Sequence, residues 1–252
     1  MEALKVFVFM AAYQFARYLL VAGGAYLYFW KGRREGLEGR RLQKPALAKG
    51  QIRREMKNSA VTSVIFSFFL SIPVLEPLKP FVRIYHAPLE HGILWLVLTV
   101  PFLMIVQDTY FYWMHRLVHH PVLFKHIHLE HHRSNNPDPM TAYSFHPVEA
   151  VLEMIWIVPL FFLVPMYLPA VILFSFFAIG MNVVGHLGFE MYPGWFARHP
   201  VMMWLNTSTH HNKHHKLSRG NYALYFTFWD KAMGTELAQN PEAAPPQREV
   251  LV

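Results

Sequence analysis

Apolar residues run through this chain in long stretches separated by short polar segments rich in histidine. Val6 to Trp30 is 25 residues long and interrupted only by Gln14 and Arg17. As a helix it exceeds the roughly 30 Å hydrocarbon layer of a bilayer. It is also longer than the apolar region of a cleaved signal peptide, which predicts a retained membrane helix. Ser59 to Leu75 is a shorter candidate closed by Pro73 and Pro77, and Gly92 to Trp113 is a third. Val148 to His186 holds two more apolar arms, broken at Pro165-Met166-Tyr167-Leu168-Pro169. Whether that pair crosses fully or dips as a hairpin, the pattern predicts an all-α integral-membrane bundle of about four to five spans or arms.

Composition agrees. Apolar residues make up 54% of the chain and charged residues 15%, against roughly 25% charged in soluble domains. The charge is concentrated as well. Lys31 to Lys57 carries ten Lys or Arg against Glu35, Glu38 and Glu55, an excess of seven that equals the net charge of +7. By the positive-inside rule this loop is cytoplasmic, with the short N-terminus outside. Beside a span it is a partner for anionic lipid headgroups and not for nucleic acid. Counting crossings from it brings the segments after Trp113 and after His186 back to the cytoplasmic side. The expectation is a multi-pass protein of a bacterial inner membrane or the endoplasmic reticulum. There is no cysteine, which excludes disulfides, thiolate ligands and cysteine-bound iron–sulfur clusters.

Histidine changes the picture most. Eleven of sixteen fall within His115 to His132 and His210 to His215. His128/His131/His132 and His211/His214/His215 repeat H-x-x-H-H, while His115 and His119 stand four apart. On a helix, positions i, i+3 and i+4 share a face, so each triplet is expected to aim three imidazoles at one point. One tetrahedral zinc saturates with four ligands, so these eight histidines predict two metal ions on a histidine-rich helical cap. His186 ends an apolar helix at the membrane boundary, where an ionisable group points to function, and is added as a ligand.

Asp108 lies two helical turns before His115, and its carboxylate could hold an imidazole N–H; the alternative is an ion pair with Arg116. Phe124 to His132 reads as a short helix ended by Pro137 and Pro139. His146 reads as a helix-start residue or an interfacial anchor, and His120 and His210 are adjacent extras. Phe102, Met104, Phe111, Trp113 and Met181 are candidate linings of an apolar tunnel between the spans.

These residues resemble the fatty acid hydroxylase/sterol desaturase superfamily of integral-membrane di-iron oxygenases. The three histidine boxes of that family, H-x3-H, H-x2-H-H and H-x2-H-H, match His115/His119, His128/His131/His132 and His211/His214/His215 in order. The resemblance extends from DTYFYWMHRLVHHPVLFKHIHLEHH to NTSTHHNKHH and NYALYFTFWDKAMGT, about Asp108 to Thr235. It implies two irons, with zinc possible in purified material, dioxygen chemistry, and hydroxylation or desaturation of a fatty acyl or sterol-like membrane lipid. No fused cytochrome b5-like domain is seen, so a separate cytochrome b5-like or ferredoxin-type donor is expected, steered by Lys125, Arg133, Lys213, Lys216 and Arg219. The implied organisation is membrane helices and basic loop over 1–107, a catalytic region over 108–235, and a disordered tail over 236–252. Two other classes compete. A zinc-dependent membrane hydrolase would keep a general-base glutamate, as H-E-x-x-H does, whereas Glu130 sits in H-L-E-H-H. A metal transporter would carry ionisable residues along its spans.

Overall fold

The computed structural model describes residues 2–32 and 36–237. Arg33, Arg34 and Glu35 of the basic loop, and the expected tail beyond Leu237, lie outside the described residues. Helix α1 (Ala3–Lys31) extends the first apolar stretch by only a few residues, and α2 (Gln51–Val74) starts well before Ser59. Helix α3 (Gly92–Val118) runs on past Trp113 to include His115. The first arm of the later apolar pair divides into α4 (Pro147–Ile155) and α5 (Ile157–Leu163). Pro159 has no N–H to give Ile155, so the helical ladder breaks where α4 ends. The second arm is one helix, α6 (Leu168–Gly185), and α7 (Ser208–Leu217) carries the last histidines. Four helices, α1, α2, α3 and α6, are long and apolar enough to cross a membrane. The expected all-α membrane bundle is therefore the architecture found, and the divided first arm of the pair is not among those four helices.

Close packing of α1 on α2 follows from small residues. Ser59, Ser63 and Ser67 recur every fourth residue on α2 and are fully buried. Two of the three hydroxyls return to the helix's own backbone, Ser63 to Ser59 O at 2.8 Å and Ser67 to Ser63 O at 2.6 Å, while Ser59 Oγ is buried without a partner. Tyr18, Phe66, Tyr143 and Ile179 fill one apolar cluster, and Leu103, Trp156, Phe161 and Phe174 another. At one end of the bundle Ile84–Tyr85 pairs in parallel with Met166–Tyr167. The basic loop lies at the other end, where Leu42 N donates to Gly188 O and Gln43 Nε2 to Asn212 Oδ1. Gly188 has φ +78°, and a Cβ there would meet the Trp30 ring at 2.5 Å. Only glycine fits that close approach.

A buried carboxyl pair fixes the loop that follows the second histidine box. Glu55 Oε1 accepts from Ser134 Oγ (2.7 Å), Thr141 Oγ1 (2.8 Å) and Gln51 Nε2 (3.0 Å). Asp138 caps the Pro139–Tyr143 turn, accepting from Met140 N at 2.8 Å, and shares Gln51 with Glu55. Burial, with Glu55 beside it, pushes the Asp138 carboxyl up to about 8, so it keeps its proton at neutral pH. Glu55→Ala strips the acceptor from three buried donors and should cost about 3 kcal/mol of stability. Glu55→Gln, which keeps an acceptor oxygen, should cost less. Reversible unfolding in mild detergent measures both, and an alanine variant as stable as the parent would contradict this account.

Candidate metal centre

The backbone sets the histidines in place before any metal is considered. His115 lies in the last turn of α3 and His119 caps it. The second box begins in a π-helical turn, Phe124–His128, and continues as Leu129–His132, where one continuous helix was expected. His186 caps α6, and His211, His214 and His215 lie on α7. Their potential ligand atoms form two groups, each with all members within 4.8 Å of one another: His115, His119, His128, His132 and His214 in one, His131, His186, His211 and His215 in the other. All nine predicted histidines are thus brought together. The expected geometry of the triplets is corrected, because neither triplet aims at one point. Each is shared, His128 and His132 facing one group and His131 the other, His214 facing the first and His211 and His215 the second. Residues 100° apart on a helix diverge as well as converge, so neighbouring histidines reach two centres.

Ring orientation is fixed from behind. Nδ1–H of His115 donates to Tyr222 O (2.8 Å), of His119 to Ser218 O (3.1 Å) and of His214 to Gly220 O (2.7 Å). One short loop therefore holds three rings of the first group. Ser218 ends α7 in the left-handed conformation, φ 48° and ψ 35°, which turns its carbonyl toward His119. In the second group Nδ1–H donates from His186 to Asn182 O (2.8 Å), from His215 to Ser134 O (3.1 Å) and from His131 to Ser144 O (3.4 Å). A carbonyl only accepts, so each of these six neutral rings carries its proton on Nδ1 and its lone pair on Nε2.

Those lone pairs face each other. His186 Nε2 lies 2.9 Å from His211 Nε2, 3.0 Å from His215 Nε2 and 3.2 Å from His131 Nε2. His115 Nε2 is 3.1 Å from His128 Nε2. Nε2 of His119, His132 and His214 are buried without a partner. Converging nitrogens of this kind repel unless a cation sits among them, so the donor set fits metal ions. Burial, reinforced by neighbouring imidazoles, lowers the pKa of His119, His128, His131, His132, His211, His214 and His215 well below the usual value. Burial lowers His186 to about 4.

Asp108 does not hold an imidazole. It is fully buried, and its Oδ1 accepts from Tyr225 N (2.6 Å) and Phe226 N (3.2 Å); no ion pair to Arg116 occurs among the described residues. The side chain points from α3 into the chain after the 218–222 loop, and Asp230 secures the same chain by accepting from Tyr222 N and Ala223 N, both at 2.9 Å. Around the two histidine groups, the carboxyl that reaches an imidazole is Glu149, whose Oε1 is 2.6 Å from His128 Nδ1. Its sequence signal is two acids one turn apart, Glu149 and Glu153, in an otherwise apolar arm. His146 caps α4, its Nδ1 accepting from Val148 N. His120 and His210 belong to neither group.

Beside the second group lies a cavity lined by Phe111, Phe145, Met181, Leu224, Glu149, Glu153 and five of the histidines. Of the expected tunnel residues only Phe111 and Met181 line it. Phe102 and Met104 pack against the core, and Trp113 is 44% exposed, because its helical position faces outward. A larger cleft, of about 100 Å³, between the apolar helices shares Phe145, Glu153, Asn182 and Leu224 with it.

Comparison with known proteins agrees with this arrangement. A family model described as fatty acid hydroxylase matches residues 100–235. A Delta(7)-sterol 5(6)-desaturase of Gibberella zeae is 30% identical over 218 residues, covering 82% of this chain and 63% of its own length. A lathosterol oxidase of Rattus norvegicus is 30% identical over 206 residues, covering 77% and 64%. A putative methylsterol monooxygenase of Dictyostelium discoideum is 32% identical over 202 residues, covering 76% and 73%. The chain thus spans less than two thirds of the first two relatives. No solved structure matches.

The lowered histidine pKa values set a direction for pH dependence. Between 6.5 and about 4 an unfolded chain binds protons that the folded His186 refuses, so stability rises with pH across that window. Metal-free protein should therefore lose thermal stability as the pH falls from 6.5 toward 4. A midpoint that stays level or rises on acidification would contradict the neutral-imidazole assignment.

Proposed function

The chain belongs to the fatty acid hydroxylase family, and we propose that it is a membrane-bound di-iron oxidoreductase that hydroxylates or desaturates a lipid. The relatives' names make a sterol-like lipid the first candidate substrate, with fatty acyl lipids next. The observation that carries the reading is the two groups of converging imidazole nitrogens beside a cavity that shares wall residues with an apolar cleft between membrane helices. The two groups would hold one iron each, and bound iron supplies the dioxygen activation that side chains cannot.

This chain's residues have definite tasks in that reading. Neutral imidazoles hold dications without cancelling their charge. The carbonyl partners on Nδ1 keep six of the rings aimed inward, and Glu149 does the same for His128. Phe111, Phe145, Met181 and Leu224 exclude water from the reacting carbon. Burial pushes Glu153 up to about 8, so its carboxyl holds a proton at neutral pH in the wall that both cavities share. The catalytic region is 108–235, with Asp108 a positioning residue that secures the chain behind the first group. Electrons come from a separate donor protein.

Orientation follows from packing and charge together. The basic loop touches the histidine end through Gln43 and Asn212, so one side of the membrane holds both. The positive-inside rule makes that side cytoplasmic.

Anaerobic purification should yield two metal ions per chain, and oxygen uptake should require both lipid and reductant. His131→Ala and His214→Ala, one from each group, should reduce turnover to background in a folded membrane protein. Zinc in a preparation would not count against iron, since zinc lies above ferrous iron in the Irving–Williams order. A stoichiometry near one, or full activity in either variant, would sink the proposal.

The topology has its own test, made clean by the absence of native cysteine. Single cysteines at the exposed positions Lys49 and Lys216 should resist an impermeant thiol reagent in intact cells, while one at Lys79 should label. Labelling at Lys216 with none at Lys79 would invert the orientation.

A further inference from the structure

Arg17 lies near the middle of the span Ala3–Lys31 and is 6% exposed. A guanidinium at such depth is costly unless it is paired or serves a ligand. It cannot reach water by extending along the helix, as exposed lysines and arginines at span ends do. Among the described residues no carboxylate pairs with it. One nitrogen donates to Tyr143 Oη at 3.1 Å, and the Tyr13 and Phe176 rings stand 5.8 and 5.7 Å from its carbon. Its Nε is buried with no partner.

Two further orphans accompany it. Gln14, nearly one turn earlier and 1% exposed, has no partner for Oε1, and Trp156 none for Nε1. All three residues line the cleft between the apolar helices. Their neighbours in its wall are chiefly apolar, Phe66, Leu70, Phe174 and Ile179 among them, and the same cleft meets the histidine cavity at Phe145 and Asn182. An ordinary structural arginine would account for the Tyr143 contact. It would not account for three residues lining one apolar cleft that each carry a buried unpaired polar atom, since buried polar atoms are nearly always satisfied.

We propose that Arg17, Gln14 and Trp156 form a head-group subsite for the oxygen-bearing end of a single lipid, whose apolar body lies in the cleft. The shared chemistry is an oxygen that accepts from Arg17, supplied by a carboxylate or by a hydroxyl. With that oxygen anchored, its distance to the histidines selects the carbon presented to them. This last step rests on the lipid-oxidase reading; the binding step does not.

Binding is therefore the measurement. Metal-loaded, full-length protein in nanodiscs is titrated with cis-parinaric acid, with the alcohol derived from it and with the hydrocarbon lacking the oxygen, followed by energy transfer from tryptophan. A hydrogen bond from a charged donor gives the better oxygenated probe an advantage of about tenfold or more over the hydrocarbon. Acid ahead of alcohol identifies a carboxylate, and the reverse order a hydroxyl. Arg17→Gln should close the gap to within about twofold, and Gln14→Leu should narrow it. Equal binding of all three probes by the parent protein would overturn the subsite, and that comparison requires no variant. So would a gap that survives Arg17→Gln in protein eluting as a folded monodisperse species. The gap should persist in His131→Ala, so loss of the oxidase reading and loss of the subsite give different results.

Discussion

Everything around the histidine end depends on one constraint, that an imidazole whose Nδ1–H is spent on a carbonyl presents a bare lone pair on Nε2. Six rings are committed in this way. Burial then keeps them neutral, because a charged ring would have to be stripped of water with no anion to receive it. The carbonyls come from irregular backbone. Tyr222, Gly220 and Ser218 lie in a loop after α7, and Ser134 and Ser144 flank the Asp138-capped turn. Loops supply them because a mid-helix carbonyl is already taken by its own ladder, whereas helix ends and turns leave carbonyls free. Asn182 is the exception, since its carbonyl accepts both the backbone N–H of His186 at 3.2 Å and its Nδ1–H at 2.8 Å at the end of α6.

The polar residues farther out exist to hold those loops. Asp230 and Asp108 grip the backbone from Tyr222 to Phe226, and Glu55 with Asp138 grips the segment from Ser134 to Thr141. Two of these acids come from spanning helices, α2 and α3, so membrane packing and ring orientation are mechanically one system. A shift of α2 against α1 would move Ser134 and with it His215. The serine stripe on α2 therefore bears on the metal centre although it lies far from it in sequence.

Much of this was legible in the sequence. Apolar run length located the spans, since a membrane helix needs little more than sustained apolarity. Spacing found eight of the nine histidines of the two groups, because residue type and helical period are carried by the sequence, and the ninth, His186, was marked by its place at the end of an apolar helix. The distribution of those histidines between the groups was not legible. It turns on the π-helical turn at Phe124–His128 and on where α7 lies against α6, which are matters of packing. Asp108 was misread for a related reason: equal spacing along a helix says that two residues share a face, not that their side chains meet. Glu149 was passed over because its partner, His128, is remote in sequence and only the packing of α4 joins them.

Gln14 and Arg17 were visible as the two interruptions of the first apolar run, yet a lone cation in a span has several readings. The fold narrows them. Snorkelling fails on burial, and among the described residues a tyrosine hydroxyl and two aromatic faces, with no carboxylate, meet the guanidinium. What the position retains is a view into an apolar cleft, shared with two other unsatisfied groups. In water such atoms would cost nothing, but in a low-dielectric interior an unmet donor or acceptor is a standing penalty. A fold that lines one apolar cleft with three residues bearing such atoms has placed unsatisfied polarity where a ligand can meet it.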